Sequence, residues 1–334
     1  MEWTRGPVIG RGSSATVYLA TTTATGDRFA VKSTNLSTSV SVSLQKEQHI
    51  LSQLNSPNII SYKGHDISYN MYNLHMEYAP NGTISDMIKK HGGSLDECLI
   101  RSYTHQILMG LDYLHMNNIV HCDIKCQNVL MCENGVKIGD FGCAKLVENR
   151  GNRAFSGTPV FMAPEVVRGE EQGFEADVWA LGCVVIEMAT GFNPWPEIDD
   201  PISGLYRIGY SGEVPELPRW LSPEGKDFLE VCLRRDARER CTVKELLRHP
   251  FVDGVEEFAK NSPTSVLNQD FWGCLEVPET SPETTQIVEF SGESPVERIM
   301  WLVKDSPLCL PNWIDEEGWI MIRSDQIEES LNIS

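Results

Sequence analysis

Asp123 and Asp140 stand 17 positions apart in "HCDIKCQNVLMCENGVKIGDFG", with Lys125 and Asn128 between them. A carboxylate such as Asp123 can take a proton from a hydroxyl or orient that hydroxyl as a nucleophile. Asn128 and Asp140 offer oxygen ligands of the kind that magnesium takes. Lys125 can offset charge on a transferring phosphate. Asp140 closes the strand-like run "VKIG", so its carboxylate is expected at a strand end rather than in a core.

A second constellation lies near the N-terminus. "IGRGSSATV" runs through Ile9, Gly10, Arg11, Gly12, Ser13, Ser14, Ala15, Thr16 and Val17. Glycines let backbone N–H groups approach phosphate oxygens with no side chain in the way, although an ordinary β-turn has the same composition. Fifteen residues beyond Val17, "FAVK" places Ala30 and Lys32 in an apolar strand, and Glu47 follows in a helical pattern. Taken singly, Lys32 and Glu47 read as surface charges. Taken together, they read as an ammonium held by a carboxylate and aimed at phosphates.

The elements that must carry these residues divide the chain. Up to about residue 80 the signals are mainly strands, "FAVKST" and "MYNLHMEY" among them. One helical pattern lies between, in "VSLQKEQHILSQL", with Leu44, Ile50, Leu51 and Leu54 at helical spacing. From residue 94 helices take over. Ser94 and Glu97 have the spacing of a capping box. Ile100, Tyr103, Ile107, Leu111 and Leu114 mark one apolar face. Ser222 reads as an N-cap before Pro223, and Thr242 with Glu245 as another capping box. The expected architecture is α+β: a small β-rich lobe, a larger helical lobe and a ligand cleft between them.

Composition shifts after Phe251. Residues 251–334 hold 17 Asp and Glu against 4 Lys and Arg, whereas residues 1–250 hold 30 against 24. That acidic balance argues against nucleic acid as the main partner. "EVPETSPETT" reads as a disordered linker, yet Trp272, Trp301, Trp313 and Trp319 stand in the same tail and read as a docking surface or a packed extension. No apolar run reaches the ~18–20 residues of a membrane span, and the N-terminus has no signal-peptide core. The ten scattered cysteines point to reduced thiols in a soluble protein, expected in the cytoplasm or nucleus.

The ordered motifs Gly-x-Gly, Ala-x-Lys, His-x-Asp-x-Lys-x-x-Asn, Asp-Phe-Gly and Ala-Pro-Glu resemble those of eukaryotic protein kinases over residues 3–251, with residues 252–334 as an acidic tail. "DIKCQN", "GTPVFMAPEV", "NSPNIISYKG" and "MEYAPNGTISDMI" resemble the serine/threonine kinases that activate MAP kinase kinases, in particular the short, MEKK-like plant members. The resemblance implies a fold of two lobes and the cofactors ATP and Mg2+. It implies phosphate binding by Lys32 with Glu47 as partner, catalysis by Asp123, and metal ligation by Asn128 and Asp140. It makes Met76 a gatekeeper and Glu77 to Ala79 the adenine-binding hinge. Asp177 would brace the catalytic loop, and Glu165 would pair with Arg240.

Cys122 departs from the family, standing where the resemblance calls for an arginine that binds a phosphorylated activation loop. The expected cost falls on regulation, not on catalysis. A zinc site from His121, Cys122, Cys126 and Cys132 is the other reading of this stretch, though it lacks a C-x2-C pair. Ser262, Ser281, Ser294 and Ser306 each precede proline, as sites for a proline-directed kinase such as a downstream MAP kinase would. Two further readings remain open at this point: a weakly active kinase-fold scaffold, and a kinase of the same class with another substrate.

Overall fold

A computed structural model describes residues 2–12, 15–37, 39–147, 156–197 and 201–253. Ser13, Ser14, the four Ser-Pro sites and the tail tryptophans lie outside the described residues.

The small lobe is a five-stranded antiparallel sheet in the order β1-β2-β3-β5-β4. Its strands are β1 (Trp3–Arg11), β2 (Thr16–Thr22), β3 (Arg28–Asn35), β4 (Tyr62–Ser68) and β5 (Met71–Met76), with helix α1 (Ser39–Leu51) between β3 and β4. Of the three inner strands, β3 and β5 are rich in buried residues: Phe29, Ala30 and Val31 on one, Tyr72 to Met76 on the other. Strands covered on both faces read as near-continuous apolar runs, so "FAVK" could be recognised as a strand without alternation. Their register sets Lys32 opposite Val17 on one side and Leu74 on the other. Leu44 and Leu51 of α1 join the main core, as the helical spacing predicted.

The larger lobe begins with α2 (Ile84–Lys90) and α3 (Glu97–Met116). α3 starts later than the Ser94/Glu97 spacing indicates. Its N-cap is Asp96, whose carboxylate accepts the Leu99 N–H at 3.0 Å. Glu97 is taken up elsewhere: it accepts the Ser222 N–H at 2.8 Å and pairs with Arg101. The apolar face is as expected, with Ile100, Ile107, Leu111 and Leu114 buried. Burying each such side chain stabilises by roughly 1.5–3 kcal/mol.

Short strands follow: β6 (Ile119–Val120), β7 (Val129–Cys132), β8 (Gly135–Ile138) and β9 (Lys145–Leu146). β7 and β8 form a hairpin, and β6 pairs with β9. These pairings fix both ends of the stretch, so residues 121–125 are a loop and Cys126–Asn128 a 3-10 turn held between strands. Beyond it come α4 (Pro164–Val167), α5 (Phe174–Thr190), α6 (Pro201–Tyr210), α7 (Pro223–Cys232) and α8 (Val243–Leu246). α5 is buried almost all round from Ala176 to Ala189, the pattern of a central core helix. Ser222 caps α7 and the Thr242–Glu245 box caps α8, both as read from sequence. The Glu165–Arg240 pair also forms: both guanidinium N–H groups donate to the carboxylate, at 2.6 and 2.7 Å, with Arg240 fully buried.

Candidate active site

Lys32 stands at the centre of the phosphate-side cluster. Its ammonium donates to both oxygens of Glu47, at 3.0 and 2.7 Å, and to Asp140 Oδ1 at 2.8 Å. β3 supplies the lysine, α1 the glutamate, and the turn after β8 the aspartate, so three separate elements must meet here. Burial favours the neutral amine, but Asp140 and Glu47 outweigh it and hold Lys32 above its ordinary range. At Asp140 burial opposes ionisation, and the Lys32 ammonium overrides it, drawing the carboxyl well below the usual range. Burial raises the Glu47 carboxyl, with Lys32 pulling the other way. Asp140 adopts a left-handed backbone, φ 56°, a conformation that aspartate tolerates better than most residues. Its side chain remains 45% exposed.

The second cluster surrounds Asp123, which is 5% exposed. Its Oδ1 accepts the Thr158 N–H at 2.9 Å and the Thr158 hydroxyl at 2.7 Å. Its Oδ2 accepts from Asn128 Nδ2 at 3.0 Å and lies 3.1 Å from Lys125 Nζ. Lys125 also donates to Thr158 Oγ1 at 2.7 Å. Asn128 donates its remaining amide proton to the Asp123 carbonyl, which leaves the amide oxygen as its free acceptor chemistry.

Asp177 braces the loop from below. Its carboxylate oxygens accept the backbone N–H groups of His121 and Cys122, each at 2.9 Å, and one of them also meets His115 at 3.0 Å. Cys122 is held at φ 68°, a left-handed conformation that costs a side-chain-bearing residue roughly 1–2 kcal/mol. The two bonds to Asp177 stabilise it there.

His121, Cys122, Cys126 and Cys132 do not converge. His121 Nε2 meets the Gly139 carbonyl at 3.0 Å, and its ring stands edge-on to Phe141. The Cys122 and Cys126 thiols point to different carbonyls, those of Val120 and Val184. Among the described residues no group of three or more His, Cys, Asp or Glu could hold a metal ion.

The nucleotide side fits ATP on one physical observation. A Cβ at Gly10 or Gly12 would meet nothing closer than 3.7 Å, and neither glycine has a positive φ. The protein's own packing therefore does not require glycine at these positions, so the clear space above them is available to a ligand. Arg11, Ala15, Thr16 and Val17 flank this turn, which the Gly12 N–H closes by donating to the Ala15 carbonyl at 2.9 Å. Ile9 is exposed, whereas Ala30 and Met76 are buried and paired across β3 and β5. Glu77 is anchored by Lys137 at 2.8 Å, and Ala79 packs on the core.

A sheet lobe, a helical lobe and two charged clusters gathered by the catalytic loop define a protein kinase, and residues 3–252 match the protein kinase domain family, to which the chain belongs. It is similar to mitogen-activated protein kinase kinase kinase 18 of Arabidopsis thaliana, 46% identical over 97% of this chain and 99% of that protein. Kinase kinase kinase 17 of the same plant is 50% identical over 83% of this chain and 78% of its own length. A third, kinase kinase kinase 20, is 38% identical over 97% of this chain and all of the other. The chain is thus a serine/threonine kinase of the MAP kinase kinase kinase type, using ATP and a divalent metal.

Sequence reasoning missed Gln172, which is 6% exposed and bonded to both Ser156 and the Cys122 carbonyl. Thr158, which stands in the motif "GTPVFMAPEV" and is with Ser156 a hydroxyl of the activation segment, is in the structure the direct partner of Asp123.

Proposed function

We infer that this kinase transfers the γ-phosphate of ATP, with Mg2+ as its divalent ion, to serine or threonine of a MAP kinase kinase. The carrying observation is that Lys32, Glu47 and Asp140 are bonded into one cluster while Asp123, Asn128 and Lys125 are bonded into another. Lys32 binds phosphate oxygens, and Asn128 and Asp140 hold the metal, which neutralises charge on the phosphates when bound. Asp123 orients the substrate hydroxyl and receives its proton, and Lys125 offsets charge on the phosphate side of that step. The near full-length likeness to plant MAP kinase kinase kinases supports the substrate class. The test is to incubate the purified protein, ATP and Mg2+ with a panel of kinase-dead MAP kinase kinases and map the phosphosites. Phosphorylation of a generic Ser/Thr peptide library with none of the panel modified would sink the substrate assignment, and activity with Mn2+ but not Mg2+ would sink the metal.

The neutral thiol of Cys122 cannot form the charge-assisted bonds by which an arginine orders a phosphorylated loop. Phosphatase-treated protein made without an activating kinase is therefore expected to keep substantial activity. Activity abolished by the phosphatase and restored by re-phosphorylation would reject this role for Cys122. The Ser-Pro sites make the tail a substrate for a proline-directed kinase; incubation with an active MAP kinase that leaves Ser262, Ser281, Ser294 and Ser306 all unmodified would exclude it.

A further inference from the structure

Ser156, Gly157 and Thr158 pass directly over the catalytic loop. Gly157 has φ 127°, and a Cβ there would run into the Cys122 carbonyl oxygen. Thr158 engages Asp123 through both its N–H and its hydroxyl. Ser156, on the other side of the glycine, is held by Gln172. The Ser156 N–H donates to Gln172 Oε1 at 3.3 Å, and Gln172 Nε2 donates to the Ser156 carbonyl at 2.9 Å. The same Nε2 reaches the Cys122 carbonyl at 3.5 Å, a long and weak bond. The Ser156 hydroxyl donates to the Cys143 carbonyl at 3.3 Å.

A primary amide pairing with both the N–H and the C=O of one residue reproduces what a neighbouring β-strand would do. It satisfies two backbone groups that would otherwise need water. The surroundings favour neutral bonds, because Cys122 and Cys143 are buried with Val120, and Val147 and Phe174 pack against them. Hydrogen bonds gain strength in such a setting, whereas an uncompensated charge is costly. The backbone of Cys122 is itself fixed by Asp177. Gln172 therefore joins a rigid loop to the segment that carries Thr158.

We propose that Gln172 is a positioning residue for phosphotransfer, whose buried amide fastens Ser156 to the catalytic loop and so fixes Thr158 against Asp123. It does by neutral hydrogen bonds what an arginine at position 122 would do by binding a phosphate. The proposal rests on the kinase activity of the chain and not on the identity of the substrate.

The test compares the full-length wild type with Gln172→Glu and Gln172→Ala, using the kinase-dead MAP kinase kinase panel and the generic peptide library in parallel. Gln172→Glu is nearly isosteric but sets a carboxylate against the Ser156 and Cys122 carbonyls, where a donor is needed. The expected result is a fall in kcat on the order of tenfold for Gln172→Glu, with KM for ATP within about twofold, since the lost bonds act on Thr158 and Asp123 and not on the nucleotide. Gln172→Ala should lose less, because it removes the donor without adding charge. Wild-type kcat in both variants overturns the proposal. So does a loss of activity in both that merely follows the loss of folded protein in thermal melts. A Gln172→Glu defect on peptides, with no wild-type turnover of any MAP kinase kinase, keeps this proposal and rejects the substrate assignment instead.

Discussion

On the phosphate side of the site, one ammonium holds two carboxylates, and all three charges come from different elements. On the other side, apart from the single cation Lys125, Asp123 is approached by an amide, a hydroxyl and a backbone N–H, and the segment above it is tied down by another amide. The proposed phosphotransfer accounts for the difference by what each side would meet. The phosphate side must attract a polyanion and a metal cation, and charges act over distance and respond to salt. The other side must hold one hydroxyl in one orientation, which short directional bonds do without drawing in ions. The neutral thiol of Cys122, buried beside this side, fits the proposed second design, because a charged side chain there would need a compensating partner.

Removing one central residue from each side is the strongest way to break the comparison. Lys32→Met and Asp123→Asn are each expected to lower kcat/KM at least on the order of 10²-fold while leaving the fold intact. Steady-state kinetics with circular dichroism checks this, and undiminished turnover in either variant would reject the assigned roles. Raised salt separates the two further: it should raise KM for ATP more than KM for the protein substrate, and equal changes would argue against the contrast.

The pH dependence of stability sharpens the comparison with a smaller effect. Asp140 is held below its ordinary range, so its contribution is present above about pH 4 and is lost as pH falls through the lowered value. Lys32 is held above its range, so its contribution is present below about pH 10 and is lost as pH rises through the raised value. The opening of Asp140 to solvent screens the pair, which limits the effect to a few degrees in Tm. Asp140→Asn should therefore differ from wild type in Tm at pH 7 and differ less at pH 3. A gap of constant size would mean that the Asp140 charge does not stabilise the fold.

Thiol chemistry gives the smallest signal. Burial pushes the Cys122 thiol well above its ordinary range, and the nearby Asp177 carboxylate adds to this, whereas Cys98 is exposed. Iodoacetamide applied to the native protein should label Cys98 before Cys122, as read by peptide mass spectrometry. Equal labelling would show that the loop around Cys122 opens readily.

The candidate site residues were legible in the sequence because the chemistry proposed for them depends on residue type at fixed spacing. Lys32, Glu47, Asp123 and Asp140 could each be named before any contact was known. Caps were legible where one candidate stood alone, as at Ser222 and Thr242. They were ambiguous at α3, where Ser94 and Asp96 both qualify and the choice depends on Ser222, 125 positions away from Glu97, engaging that glutamate. Gln172 was illegible for a related reason. In "GEEQGFE" it reads as one more polar residue in a solvated turn, and only the fold of Ser156 over it, 16 positions earlier in the chain, buries it. Local pattern records propensity and chemistry, but partners supplied by distant segments leave no local mark.

Asp177 accepts from the two amides just before Asp123, and it does so from a helix buried almost all round. Amides bonded to a buried carboxylate on a core helix are expected among the slower-exchanging groups of a lobe, because opening them disturbs that packing. Asp123, the group proposed to meet the substrate hydroxyl, is therefore mounted one residue beyond backbone that is tied directly into the core of the lobe. If Asp123 acts as proposed, the loop from His121 to Asp123 is the fixed point against which any movement that admits substrate would be set.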